Sequence, residues 1–245
     1  MMKRLPTKLE NDEDGCAWMT GTVLVELKPG PRPIIPKALW AEIEEWILAW
    51  KHSDALREAD LPMPGALLLH GPTGSGKTSL AAAVLNCMEE RSGAILEAHN
   101  AIGKHLGECE KNLADGFRAA RRAGALVVIE EVDALGIART SCNGSGADNA
   151  RRNITIALMR LLEGSGVPVI ATTNCLNDLD PAIVRRFELL IEVPLLDEMG
   201  RKLVLRKILE REPEPELIAL PLNVSIRMAH RERRRAFIAD KEAQA

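Results

Sequence analysis

A three-layer α/β/α fold on a mainly parallel, five-stranded sheet is predicted by three observations. A glycine-rich stretch, Gly71-Pro72-Thr73-Gly74-Ser75-Gly76-Lys77-Thr78-Ser79, follows the apolar run Ala66-Leu67-Leu68-Leu69 and opens a segment of good helix formers, Leu80 to Leu85. A second apolar run, Ala125-Leu126-Val127-Val128-Ile129, has the composition of a strand buried on both faces, and it ends in Glu130 and Glu131. Strand-like runs alternate with segments of helical period, and parallel neighbours require such crossovers.

At 245 residues the chain is long enough for one large domain, or for one domain with a small appendage. Its formal net charge of -3 gives no global bias toward nucleic acid or an anionic membrane surface. Cys16, Cys87, Cys109, Cys142 and Cys175 are scattered with no C-x-x-C spacing, which argues for a reduced compartment without a zinc site or disulfide framework. There is no apolar run of about 18 residues and no apolar leader core, so the expected location is cytoplasmic, with no membrane span.

Residues 1–20 are polar, include the acidic run Glu10-Asn11-Asp12-Glu13-Asp14, and are expected to form a mobile tail. Residues 22–27 form a short strand closed by a proline-rich turn. Over residues 36–57, Leu39, Ile43, Trp46, Ile47 and Trp50 recur at helical spacing, which predicts one helix with a core-bound face. The glycine-rich stretch matches the G-x-x-x-x-G-K-[ST] pattern. In such a loop successive backbone N–H groups converge on one spot, and the positive end of the following helix adds to the field, so a polyphosphate is held there. Lys77 reaches the outer phosphates and the Thr78 hydroxyl ligates Mg²⁺.

A strand is expected over residues 94–98, then a helix over 108–123 with Cys109, Leu113, Phe117 and Ala120 on one stripe. After the strand at 125–129, Glu130 and Glu131 fall where open α/β sheets bind ligands. A small-residue loop over 139–148 leads into a helix with Ile154, Leu158, Leu161 and Leu162 facing inward. The strand at 167–172 carries Thr173-Asn174 at its tip, Asp180-Pro181 starts a short helix, and a further strand covers 188–193. A helix over 197–211 and a basic helix over 224–245, with Arg227, Arg231, Arg233, Arg234 and Arg235, close the chain. That patch is a candidate surface for nucleic acid or an acidic partner, although Phe237 is its sole aromatic.

In this order the blocks between residues 66 and 210 resemble an AAA+ ATPase of the P-loop NTPase fold, in particular remodellers of the vacuolar-sorting, katanin and spastin type. Residues 71–78 look like the Walker A loop and 126–133 like the Walker B strand. Thr172-Thr173-Asn174 resembles the sensor-1 tip, and 179–188 the arginine-finger block. The resemblance implies ATP and Mg²⁺ as cofactors, with Lys77 on the phosphates and Thr78 and Glu130 at the metal. Glu130 stands where the family usually has Asp, and its carboxylate would reach Mg²⁺ through water. Glu131 matches the residue that polarises the attacking water, and Asn174 the one that holds that water or the γ-phosphate. Arg185 and Arg186 match arginines that act on a neighbouring subunit, which implies a homo-oligomer, with a hexamer as the candidate ring. Lys104, His105, Leu106 and Gly107 resemble a pore loop that grips a protein substrate, with His105 at the aromatic position. On this basis residues 21–196 are the ATPase domain, and 197–245 a short helical lid with the basic helix. The implied function is hydrolysis-driven remodelling of a protein or assembly. The alternatives are a nucleic-acid-associated loader and a nucleotide-gated scaffold with weak hydrolysis.

Overall fold

The computed structural model describes residues 24–88, 91–97, 108–135 and 146–243. The tail over 1–20, the start of the strand at 22–27, the pore-loop residues 104–107 and most of the loop at 139–148 lie outside the described residues. By internal packing the chain divides into two units. The first takes residues up to Gly71 and Lys77–Val193; the second takes Pro72–Gly76 and Pro194–Ala245.

The first unit is organised by a sheet of six strands among the described residues: β1 (Leu24–Leu27), β2 (Ala66–His70), β3 (Gly93–Glu97), β4 (Leu126–Glu130), β5 (Val169–Thr173) and β6 (Phe187–Glu192). Their order is β1-β3-β4-β5-β2-β6. The five strands from β3 to β6 along this order run parallel, and β1 adds an antiparallel edge, with Leu27 opposite Gly93. Helices α1 (Lys37–Lys51), α2 (Ser53–Glu58), α3 (Lys77–Cys87), α4 (Glu108–Ala123), α5 (Gly146–Gly164) and α6 (Pro181–Val184) accompany them.

Strand alternation divides the core into two layers. Val127 and Ile129 face one cluster with Leu113 and Phe117 of α4 and Leu158 of α5. Leu126 and Val128 face the other, with Trp46 and Trp50 of α1 and Leu80 and Val84 of α3. All four β4 residues have no accessible surface, and each such burial contributes roughly 1.5–3 kcal/mol. A strand with helices on both faces has no solvent side, which explains its unbroken apolar sequence. The single helix expected over 36–57 is divided at His52, whose φ of -96° and ψ of 18° end α1 before α2 begins. The apolar stripe ends there too: Trp50 is its last large buried residue.

In the second unit, α7 (Glu198–Leu209), α8 (Pro215–Ala219) and α9 (Leu222–Ala243) enclose Leu205, Leu209, Ile218 and Ala229. Asp197 caps α7 by accepting the Gly200 N–H at 2.7 Å. Arg211 pairs with Glu232 at 2.5 Å, and Arg233 with Glu210. None of the described helices is long and apolar enough to cross a membrane.

Candidate active site

The buried residues Leu67, Leu68 and Leu69 fix β2, so the chain leaves the sheet at a defined point after His70. The loop that follows has Gly74 at φ 84° and Gly76 at φ 94°, and the Ser75 N–H donates to the Pro72 carbonyl at 3.2 Å. A Cβ at Gly74 or Gly76 would meet no atom within 4 Å, so glycine serves the backbone conformation there and leaves the loop surface bare.

Lys77 begins α3, and its side chain runs back along the chain. The ammonium donates to the Gly71 carbonyl at 2.8 Å and to Asn174 Oδ1 at 2.9 Å. Burial pushes the Lys77 pKa below its usual range, and the Asp133 carboxylate opposes that shift. A buried cation of this kind is one that an incoming polyphosphate would stabilise. Beside it, Thr78 Oγ1 donates to Glu130 Oε1 at 2.5 Å.

Glu130 ends β4, and the backbone then turns sharply. Glu131 is exposed and sits in the left-handed region, with φ 53° and ψ 49°. That conformation costs a non-glycine residue of order 1–3 kcal/mol, and it persists only where neighbours enforce it. The enforcing neighbours are the one-turn 3₁₀ helix Val132–Ala134, the Ala134 N–H to Glu131 carbonyl bond at 2.8 Å, and Val132, which is fully buried. Asn174 is exposed just past β5. Lys77, Glu130, Glu131 and Asn174 therefore assemble at the carboxyl ends of β2, β4 and β5, three adjacent strands.

The Thr78 hydroxyl and Glu130 carboxylate form an oxygen-only donor pair. This suits Mg²⁺, which takes one or two protein oxygens and completes its shell with phosphate and water. Among the described residues, no three His, Cys, Asp or Glu side chains converge into an all-protein metal cage.

Arg185 and Arg186 are not part of this cluster. They precede β6, whose first residue Phe187 pairs with Ala66 at the opposite end of β2 from the glycine-rich loop. A five-residue strand puts them about 16 Å along the sheet from that end. Arg186 pairs with Glu163 of α5 at 2.8 Å, and Arg185 is exposed. Sequence reasoning placed Asp133 and Thr173 inside the acidic strand end and the Asn174 tip but gave neither a role of its own; their side chains meet at 2.6 Å beside the cluster. The available signals were a third acid two residues after Glu131 and a hydroxyl immediately before Asn174.

Residues 67–195 match the family described as "ATPase family associated with various cellular activities (AAA)". Among curated proteins, the chain is 37% identical over 180 residues to the proteasome-activating nucleotidase of Sulfurisphaera tokodaii, covering 69% of this chain and 45% of that protein. It is 33% identical over 208 residues to the proteasome-activating nucleotidase of Aeropyrum pernix, covering 74% of this chain and 50% of that protein. The chain thus spans about half the length of the curated relatives it matches. With the family match running from β2 through β6 and the phosphate-loop lysine, acidic strand end and Asn174 tip brought together, the chain belongs to the AAA ATPases.

Proposed function

We propose that the chain binds ATP with Mg²⁺, hydrolyses it in a homo-oligomer, and uses the turnover to remodel a protein substrate. The observation that carries this reading is the bridge from Lys77 to Gly71 and Asn174, which brings the phosphate loop's lysine to the Asn174 tip with Glu131 displayed alongside. Lys77 holds the outer phosphates and offsets the charge that develops on them. Thr78 and Glu130 would hold Mg²⁺, whose charge would add to that neutralisation. Glu131 orients and polarises the attacking water, and Asn174 fixes that water or the γ-phosphate. Arg185 and Arg186, far from the loop of their own subunit, act on the nucleotide of a neighbour.

The name proteasome-activating nucleotidase, carried by the relatives, supports nucleotide turnover coupled to a protein assembly. The division of labour is an ATPase domain over 21–196 and a helical lid over 197–245, in a cytoplasmic protein. Grip on the substrate is assigned to His105 and Leu106 by resemblance alone. A nucleotide-gated scaffold is a second reading with its own observation, because the longer Glu130 reaches the Thr78 hydroxyl directly.

The test is Mg²⁺-dependent ATP turnover per subunit across a wide range of protein concentration, with Glu131→Gln and Lys77→Ala as controls. Turnover that climbs with concentration is expected. Glu131→Gln should keep ATP bound while losing about 10²–10⁴ in rate, and Lys77→Ala should weaken ATP binding at least tenfold. A flat, near-zero rate with tight ATP binding selects the scaffold. Wild-type turnover in Glu131→Gln would overturn the assignment of the water-activating residue.

A further inference from the structure

The parallel ladder between β4 and β5 ends at Ile129 and Ala171. Glu131 lies two residues beyond that point and Asn174 three, so the pairing of these strands stops short of the two groups whose spacing matters most. A side-chain bond crosses this stretch: Thr173 Oγ1 donates to Asp133 Oδ1 at 2.6 Å. The same Thr173 oxygen accepts the Cys175 N–H at 3.1 Å, which ties the backbone on the far side of Asn174. Thr173 is 1% exposed and paired to β2 opposite His70, so its hydroxyl has a fixed origin. Asp133 lies inside the 3₁₀ turn that begins directly after the left-handed Glu131.

We infer that Thr173 and Asp133 are positioning residues, a strap that fixes the Asn174 tip relative to the Glu131 turn and sets the rate of the hydrolytic step. The inference rests on the hydrolysis reading above for its kinetic consequence, although the strap itself is a statement about the two strand ends. Buried Val132 and Leu135 anchor the turn after the strained Glu131 backbone to the core at both its ends. The bond to Thr173 adds the restraint that ties this turn to the tip of β5. Without it the turn relaxes and the carboxylate leaves the line set by Asn174, while Lys77 and the loop keep their hold on the phosphates. A displacement of about 1 Å at such a point costs on the order of a hundredfold in rate.

The test compares Thr173→Val, which keeps shape and β-branching, with Thr173→Ser, which keeps the hydroxyl. Thr173→Val should lower kcat about ten- to a hundredfold, with the Kd for ATP changed less than about threefold. Thr173→Ser should restore most of the rate. Combined with Asp133→Ala, Thr173→Val should add little to the loss caused by Asp133→Ala alone, because both remove one bond. Amide hydrogen exchange at Val132 to Ala134 should quicken in Thr173→Val and stay at the wild-type rate in Thr173→Ser. Wild-type kcat in Thr173→Val, an equal loss of ATP binding, or two losses that multiply would overturn the inference. If the wild-type protein itself turns over no ATP, the hydrolysis reading has failed, and exchange at the turn still decides the strap.

Discussion

At Glu131 a side-chain requirement and a backbone requirement conflict. The carboxylate is wanted just past the end of β4, yet the backbone there is left-handed, where a Cβ is penalised and glycine is not. Two substitutions that both remove the carboxylate separate these demands. Glu131→Gly should be more stable than Glu131→Ala by about 1 kcal/mol in urea unfolding, which reverses the order expected in a regular helix or strand. Equal midpoints would show that the conformation carries no strain. Neither variant should hydrolyse ATP. At this scale the sequence is informative where the chemistry is contiguous. Gly71 to Thr78 lie within eight residues, and Glu130 and Glu131 follow an unmistakable buried run. The meeting of Thr173 with Asp133 spans forty residues, and no local pattern announces a contact made only after β4 and β5 lie side by side.

Among the elements, the shortest described α-helix of the sheet-bearing unit carries the most specific functional expectation. Four residues, Pro181–Val184, cannot hold a helical turn by propensity alone. The turn is held by Pro181 at its first position and by Asp180, 4% exposed, whose carboxylate accepts the Ala182 N–H at 2.8 Å. Arg185 is the residue on which this turn ends. Asp180→Ala should cost about 1–2 kcal/mol of stability through the lost cap. It should also lower ATP turnover while leaving ATP affinity unchanged, a split readable from nucleotide binding and steady-state rates on one preparation. Unchanged turnover at full occupancy would detach the cap from the arginines. Asp180-Pro181 was legible because capping is local. The break at His52 was not, since Leu39 to Trp50 set a helical rhythm that sequence alone extends to 57. Nor was α8, which is built from the proline-rich stretch after Glu212 and fixed by the packing of Ile218 against Leu205 and Leu209.

For the whole molecule, the parallel sheet separates the chemistry into two ends. The phosphate-loop lysine, the acids and Asn174 occupy the carboxyl ends of the strands, while Arg185 and Arg186 open β6 at the other end of the same sheet. A rigid, close-packed sheet cannot fold its two ends together, so on the proposed reading the two arginines serve the nucleotide of a neighbouring subunit. Head-to-tail contacts between identical subunits match one end of each copy to the opposite end of the next. This makes a mixing experiment decisive. Subunits with Arg185→Ala and Arg186→Ala keep a working loop, and subunits with Lys77→Ala keep working arginines; each preparation alone should be nearly inactive. In a random equal mixture with head-to-tail contacts, about one site in four joins an intact loop to intact arginines, so the mixture should recover about a quarter of wild-type turnover. Recovery should follow subunit exchange in time and fall when the mixture is diluted. A mixture no more active than its two components would place the arginines outside the catalytic interface, and would leave Arg186 with its structural bond to Glu163 as its role.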